Sequence, residues 1–352
     1  MRTLRSLAAP AAVALLVACG PGGSTAPRTP APADTAKVPL NDLGAATYLG
    51  FQGGLYPQGS NAIPAAHLDA GLAAAASVQP LDSSGAPSSS GRYVLLSIGM
   101  SNTTQEFCSA AGTLGSCDSW SFMGQAAADP AVNHATLAIV NGARGGQAAP
   151  SWVSPSSAEY DRIRDNQLAP QGLSEKQVQV VWLKVANAQP KVSLPRSDAD
   201  AYILETQIGQ IARALRARYA NLRQVFITSR IWAGYATTTL NPEPYAYEEG
   251  FSAKWAIEAQ LRQASSGTID ARAGDLRYGA NGVAPWLAWG PYPWAAGMTP
   301  RSDGLTWAPG DFVSDGTHPS RSGREKVATM LLDFFSSSPV TRCWFLAGGS
   351  CG

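Results

Sequence analysis

Three histidines occur in this chain, at positions 67, 134 and 318, and only the last stands in a context that suggests chemistry. His318 follows Asp315 by three residues, so one short loop can present a carboxylate and an imidazole together. An aspartate that binds one ring nitrogen sets the tautomer and leaves the other nitrogen free to take a proton. We therefore predict that Asp315 orients His318 and that His318 is a general base. For His67 and His134 we predict structural roles.

Ser101 is the candidate nucleophile. It directly follows a predicted buried strand over residues 93–98 and opens a predicted helix, which would place its hydroxyl near a positive helix terminus. A serine becomes nucleophilic only when a base reaches it, and His318 is the one base that the sequence offers for this role.

Three groups are candidate donors to a tetrahedral oxyanion. They are the backbone N–H of Ser101, the backbone N–H of Gly146 and the side-chain amide of Asn187. Gly145 stays open as a one-residue alternative to Gly146. A donor set of this kind typically contributes about 3–4 kcal/mol per group to transition-state stabilisation.

The elements that must position these groups are short apolar strands separated by longer helical or loop segments. Continuous apolar strands at such intervals indicate a parallel sheet that is covered on both faces. The fold class predicted is α/β, with a doubly wound, mainly parallel five-stranded sheet flanked by helices in a three-layer, flavodoxin-like sandwich. Its ligands should bind beyond the carboxyl ends of the strands, where the candidate residues lie. The predicted strands cover residues 93–98, 136–140, 178–185, 224–228 and 286–289, and the main predicted helices cover residues 198–219 (capped by Ser197), 252–264 and 321–335.

Four sequence blocks resemble those of the SGNH (GDSL-type) hydrolase superfamily, in the same order along the chain. The resemblance covers residues 92–335 and implies that Ser101 is the nucleophile, that Gly146 and Asn187 are oxyanion donors and that Asp315 and His318 complete a triad. The second block is similar to that of the carbohydrate acetylesterase branches. The third block matches only at its Asn, because Val185 and Ala188 replace the usual Gly and Asp. The blocks are Gly99-Met-Ser-Asn102, Asn141-Gly-Ala-Arg-Gly-Gly146, Val185-Ala-Asn-Ala188 and Asp315-Gly-Thr-His318.

Several other chemistries are disfavoured by the sequence. No serine stands in a Ser-x-x-Lys pattern, and no phosphate-binding loop occurs. No two histidines have the spacing of a helical metal site, so we predict no metal and no cofactor. The net charge of +1, without Lys/Arg clusters, disfavours nucleic acid as a partner. Glu248 and Glu249 are adjacent and cannot face each other across a sugar, so we predict a solvated helix start there.

The first 18 residues have a basic start and an apolar stretch too short to span a bilayer, which is typical of a signal peptide. They end in Leu-Val-Ala-Cys19, which resembles a bacterial lipobox and implies that Cys19 is lipidated. An ordinary signal peptide that happens to end in Cys is the alternative. Residues 19–45 are rich in Pro, Ala, Thr and Gly and are predicted to be a tether. The membrane would then be reached only through the lipid.

The other four cysteines fall in two close pairs, Cys108 with Cys117 and Cys343 with Cys351. In an oxidising compartment four cysteines permit three connectivities, of which we predict the local one. We predict an N-terminal extension over residues 46–91, the hydrolase-like domain over residues 92–338 and a C-terminal disulfide tail over residues 339–352.

These observations predict a metal-independent serine ester hydrolase at a bacterial cell envelope, at the periplasm or the cell surface. The substrate would be a small-molecule or glycan ester, and carbohydrate deacetylation is the favoured branch. An acyltransferase with the same triad and a glycan-binding lipoprotein without turnover are the alternatives. Aromatic residues after the strands, such as Trp152, Trp232 and Trp294, could line the cleft or could pack loops against the sheet.

Overall fold

A computed structural model describes residues 37–109 and 117–351, and the predicted signal peptide, Cys19 and most of the tether lie outside these residues. Seven strands are described: β1 Thr47–Tyr48, β2 Phe51–Gln52, β3 Tyr93–Gly99, β4 Leu137–Asn141, β5 Val178–Lys184, β6 Gln224–Ile227 and β7 Trp286–Trp289. The α-helices are α1 Leu40–Leu43, α2 Ala65–Ala76, α3 Ser101–Phe107, α4 Phe122–Ala128, α5 Ala158–Arg162, α6 Asp200–Arg218, α7 Tyr245–Ser266, α8 Arg321–Ser337 and α9 Arg342–Phe345.

The main sheet has five strands in the order β4-β3-β5-β6-β7, and every neighbouring pair is parallel. This arrangement confirms the predicted α/β fold class. All residues of β3, β5, β6 and β7 are buried, as expected for a sheet covered on both faces. The order reverses at β3, because the chain first moves outward to β4 and then crosses to β5. Ser101 follows β3, so it lies where such folds bind their ligands.

Helices cover the two faces of the sheet with two separate apolar cores. Alternate residues of β3 divide between them, since Val94, Leu96 and Ile98 point into one core and Tyr93 and Leu95 into the other. The first core is completed by apolar side chains of α5, α6 and α7. The second is completed by side chains of α2, α3, α4, α8 and α9.

Two helix starts differ from the prediction. α6 begins at Asp200, after the N-cap Ala199, and Ser197 does not cap it. α7 begins at Tyr245, seven residues before the predicted start, and its first turns include Glu248 and Glu249. The prediction that these two glutamates form a solvated helix start was wrong, because both are buried and both accept hydrogen bonds from backbone N–H groups of distant loops.

The chain before β3 contacts the main sheet at several points. Leu40 in α1 is fully buried and its N–H donates to the Tyr292 hydroxyl, so the predicted tether contains a short packed helix near its end. His67 in α2 is buried with its Nε2 2.8 Å from the Leu287 carbonyl oxygen of β7. His134 is exposed, and its Nε2 lies 3.0 Å from the Asp129 carbonyl oxygen.

Both predicted local disulfides are present, Cys108–Cys117 after α3 and Cys343–Cys351 at the C-terminus. Within residues 37–109 and 117–351, none of the helices is long and apolar enough to cross a membrane.

Candidate active site

Ser101 stands at a tight junction between β3 and α3. Gly99 ends β3, and a Cβ at this position would lie 2.0 Å from the carbonyl oxygen of Lys184 on β5. A glycine is therefore required for the close approach of the two backbones. The chain then turns at Met100, the N-cap residue, and Ser101 is the first residue of α3.

Ser101, His318 and Asp315 form a hydrogen-bonded chain. Ser101 Oγ lies 2.7 Å from His318 Nε2, and His318 Nδ1 lies 2.6 Å from Asp315 Oδ2. An ionised carboxylate can only accept, so Nδ1 donates to Asp315 and Nε2 is left to accept the Ser101 hydroxyl proton. The His318 and Asp315 side chains are 22% and 28% exposed, which leaves the site open to a substrate and to water.

The loop that carries Asp315 holds it in the ionised form. Partial burial acts to raise the pKa of Asp315, but hydrogen bonds from the His318 amide, the His318 ring and the Thr317 amide outweigh it, and the pKa lies below its ordinary value. Asp315 therefore stays a carboxylate at neutral pH. Gly316 permits the turn, since its φ is +64° and a Cβ there would lie 1.9 Å from the Tyr235 carbonyl oxygen.

Asn141, the first residue of the second block, ties β4 to the nucleophile helix. Its Nδ2 donates to Thr104 Oγ1 at 2.6 Å, and its Oδ1 accepts from Ser97 Oγ at 2.8 Å. Asn102, next to the nucleophile, donates to the Thr317 carbonyl oxygen at 3.2 Å and so links α3 to the Asp315 loop. Neither side chain was expected from the sequence to have a role, although both belong to the matched blocks.

Gly145 and Gly146 differ in their surroundings. A Cβ built at Gly145 would lie 3.8 Å from Ser101 Cβ, whereas a Cβ at Gly146 would meet nothing within 4 Å. Gly146 has φ +80°, which favours glycine at that position. The loop begins with a hydrogen bond from the Arg144 N–H to the Gly99 carbonyl oxygen. The structure thus brings the loop to Ser101 and places Gly145 against the nucleophile's side chain.

Asn187 follows β5 at the same edge of the sheet and is buried. Its Nδ2 donates to the Asp200 carbonyl oxygen at 2.8 Å, which uses one of the two amide hydrogens. Its backbone N–H donates to Glu249 Oε1 at 2.7 Å. The second Nδ2 hydrogen is the one that could serve an oxyanion.

A fully buried ion pair joins α3, the helix that begins with Ser101, to β5. Lys184 Nζ contacts Glu106 Oε1 and Oε2 at 2.7 and 2.5 Å, and neither side chain is exposed. Burial raises the pKa of Glu106 and lowers that of Lys184 to about 8, against the attraction between the two charges. Thr103 Oγ1 donates to the Lys184 carbonyl oxygen at 2.6 Å. No pattern in the sequence signalled this pair, because Glu106 and Lys184 are 78 positions apart.

Most aromatic residues that follow the strands belong to the cores. Trp152 and Trp294 are fully buried, whereas Trp232 is half-buried. Arg144 pairs with Glu159 at 3.1 Å. Arg230 is 2% exposed, and burial lowers its pKa.

No protein-family model matches the chain, and no curated protein matches it by sequence. Among solved structures, a Parabacteroides merdae protein described as a GDSL-like lipase matches with 11% identity and a TM-score of 0.36, over 73% of this chain and 97% of that one. The salicylyl-acyltransferase SsfX3 from a tetracycline biosynthetic pathway matches with 14% identity and a TM-score of 0.35, over 72% of this chain and 58% of that one. An extracellular lipase of Streptomyces rimosus matches with 13% identity and a TM-score of 0.31, over 69% of this chain and 99% of that one.

At these identities and TM-scores, no activity, substrate or site residue follows for this chain from the alignments. The sequence blocks that resemble those of the SGNH/GDSL superfamily contain Ser101, Asp315 and His318, and the fold brings these three residues into one hydrogen-bonded chain.

Proposed function

We propose that this chain is a metal-independent serine ester hydrolase that works through an acyl-enzyme. The observation that carries the proposal is the hydrogen-bonded chain from Ser101 Oγ through the His318 ring to Asp315 Oδ2, with distances of 2.7 and 2.6 Å. Nucleophile, base and orienting acid are within the range required for proton transfer.

In the first half-reaction, Ser101 Oγ attacks the ester carbonyl carbon and its proton passes to His318 Nε2. The C–O bond to the alcohol then breaks, and His318 returns the proton to the leaving oxygen. In the second half-reaction, a water molecule attacks the acyl-enzyme, gives its proton to His318 and releases the carboxylic acid as Ser101 regains a proton. Asp315 remains ionised throughout and stabilises the imidazolium that forms twice per cycle.

The negative charge on the carbonyl oxygen needs preorganised donors. We assign this role to the backbone N–H groups of Ser101 and Gly146, with Gly145 as the alternative glycine, and to the Asn187 side-chain amide. The proximity of Gly145 to Ser101 Cβ supports the loop as the donor segment.

For the substrate we propose an uncharged small-molecule or glycan ester, with carbohydrate O-acetyl groups as the favoured class. The match of residues 141–146 to the second block of carbohydrate acetylesterase branches supports this choice. We also propose that the protein is exported and held at a membrane surface by a lipid on Cys19. Two disulfides support an oxidising compartment.

The test compares Ser101→Ala, His318→Ala and Asp315→Asn with the wild type on p-nitrophenyl acetate. We expect kcat to fall by about 10³-fold or more in each variant, because the triad acts as a unit. His134→Ala is the matched control, since its exposed ring contacts only the Asp129 carbonyl oxygen and should leave kcat unchanged. Undiminished turnover in all three variants would contradict the proposed triad.

Two further measurements separate the alternatives. A fluorophosphonate probe should label Ser101, and an unlabelled serine in the folded protein would favour a binding module without turnover. Product analysis in the presence of an alcohol acceptor should show free acid, and a dominant new ester would instead indicate an acyltransferase.

A further inference from the structure

The main chain of Asn187 is held from both sides by side chains that are distant in sequence. Its N–H donates to Glu249 Oε1 at 2.7 Å, and its carbonyl oxygen accepts from Asn241 Nδ2 at 3.3 Å. Glu249 and Asn241 are 62 and 54 positions away from Asn187. With both peptide groups engaged, and with its Nδ2 donating to the Asp200 carbonyl oxygen, Asn187 is held by α7, by the segment before α7 and by the start of α6.

Glu249 and Asn241 also bind each other. Asn241 Nδ2 donates to Glu249 Oε1 at 2.6 Å, so the same carboxyl oxygen accepts from both asparagines. Both residues are only 2% exposed. Asn241 has φ +64°, a left-handed conformation that Asn tolerates better than most residues. The three residues thus form one buried hydrogen-bond group, which we call the Asn187 clamp.

The clamp compensates for what the third block lacks. Around Asn187 the sequence has Val185 and Ala188 where related blocks have Gly and Asp, so few local polar groups are available to hold the loop. The structure instead supplies long-range contacts to the asparagine. We propose that Glu249 and Asn241 are positioning residues that hold Asn187 in the orientation needed to bind the oxyanion, an inference that rests on the proposed function.

The protonation of Glu249 suits this role. Burial raises the pKa of Glu249 to about 8, although the Asn187 amide, the Arg230 charge and the Asn241 side chain act in the opposite direction. Asp200 adds a smaller upward effect. At neutral pH the group is mainly a neutral acid, in which the carbonyl-type oxygen Oε1 accepts both hydrogen bonds. A glutamine has the same oxygen at the same place, so Glu249→Gln should preserve the clamp.

The segment that carries Asn241 also contacts the Asp315 loop. The Thr237 N–H donates to the Asp315 carbonyl oxygen at 2.9 Å, and Thr238 Oγ1 lies 3.2 Å from Thr317 Oγ1. One segment therefore contacts both Asn187 and the loop that carries Asp315.

The experiment measures kcat and KM on p-nitrophenyl acetate for Glu249→Ala, Asn241→Ala, Asn187→Ala and the double variant Glu249→Ala/Asn187→Ala. Loss of an oxyanion donor costs about 10²–10³-fold in kcat, so we expect that loss for Asn187→Ala and a loss of about 10- to 100-fold for Glu249→Ala and Asn241→Ala. KM should change little, because the contact is made in the transition state. The double variant should be no slower than Asn187→Ala, since a misplaced donor and a missing donor are the same defect.

Glu248→Ala is the matched control. Glu248 directly precedes Glu249 on α7 and is equally buried. It accepts hydrogen bonds from the Leu194 N–H and the Tyr48 hydroxyl, and neither residue belongs to the clamp. It should lower stability to a similar extent but leave kcat near the wild-type value. Glu249→Gln should retain kcat within about threefold, because the acceptor oxygen is kept.

Additive losses in the double variant, or an equal loss of kcat in Glu248→Ala, would overturn the clamp and indicate a structural role only. Fluorophosphonate labelling of Ser101 in every variant keeps the two questions apart. If the wild type itself is neither labelled nor active on esters, the proposed function fails. If the wild type is active and Glu249→Ala and Asn241→Ala both turn over at its rate, only the clamp fails.

Discussion

Several buried carboxyl groups near the candidate site have pKa values well above the ordinary value. Burial raises the pKa of Glu248 to about 7 and that of Glu249 to about 8, and it raises the pKa of Glu243 as well. All three belong to α7 or to the residues just before it. Asp315 differs from them, because its hydrogen bonds hold its pKa below the ordinary value and keep it charged. The surroundings of these nearby acids thus shift their pKa values in opposite directions.

The raised pKa of Glu249 predicts a pH-dependent stability. In the unfolded chain this carboxyl ionises near its ordinary value of 4.5, whereas in the folded protein it stays protonated until about pH 8. Its contribution to the free energy of unfolding is therefore complete below pH 4.5 and is lost as the pH rises to about 8. Glu249→Gln does not titrate, so the free energy of unfolding of the wild type should fall relative to that of Glu249→Gln over this window, by at most about 1.4 kcal/mol per pH unit.

Urea denaturation at several pH values measures this difference. A difference between the wild type and Glu249→Gln that stays constant over this range would show that folding does not raise the pKa of Glu249.

At the scale of elements, α3 depends on its neighbours for its position. It has seven residues, too few to be stable alone, yet it must present Ser101 to His318. Three successive residues after the nucleophile are each bound to a different part of the fold. Asn102 donates to the Asp315 loop, Thr103 donates to the end of β5 and Thr104 accepts from Asn141 at the end of β4.

The buried Lys184–Glu106 pair is the fourth attachment of α3, and it predicts an asymmetric response to substitution. Lys184→Met removes the partner of a fully buried carboxylate, so the free energy of unfolding should fall by about 3–5 kcal/mol. In Lys184→Met/Glu106→Leu no charge of the pair remains, and most of that loss should be recovered.

Urea denaturation of the wild type and the two variants provides the measurement. A double variant less stable than Lys184→Met would mean that the pair contributes net stability, or that Glu106 is needed by Arg230, whose charge it also faces.

At the scale of the whole molecule, two cores on the two faces of one sheet support the candidate site at its carboxyl edge. Ser101, the Gly145–Gly146 loop and Asn187 come after three adjacent strands, β3, β4 and β5. The Asp315 loop precedes α8, which packs against α3 and α4 in the second core. Both disulfides close short loops outside the sheet, one after α3 and one at the C-terminus.

The proposed anchor is also a property of the whole molecule. If Cys19 is lipidated, the intact mass of the mature protein should correspond to residues 19–352 plus a diacylglycerol, and the protein should partition into detergent. Cys19→Ser is the control and should yield an unlipidated product. An unmodified mature chain cleaved elsewhere would identify an ordinary signal peptide and refute the anchor.

Patterns of residue type along the chain were sufficient to predict the strands of the main sheet. Each of the five predicted strands of the main sheet agrees with the structure to within one residue at either end, because strands covered on both faces are largely apolar. The local disulfide pairing could be predicted equally well, since four cysteines in two close pairs permit few other connectivities. The candidate residues Ser101, Asp315 and His318 could be selected because each is of a reactive type and stands in a loop beside a predicted element.

The tertiary structure decided which polar groups of different elements are buried against one another. The start of α7 could not be predicted, because two adjacent glutamates look like a solvated surface until Leu194 and Asn187 are seen to donate to them. The same holds for Lys184 with Glu106 and for Asn241 with Asn187. In each case a polar group is buried only because a partner from a remote part of the chain satisfies it, and sequence periodicity carries no information about such partners. The sequence by itself therefore determined the sheet and the candidate site residues, and the tertiary structure decided which buried polar groups hold them in place.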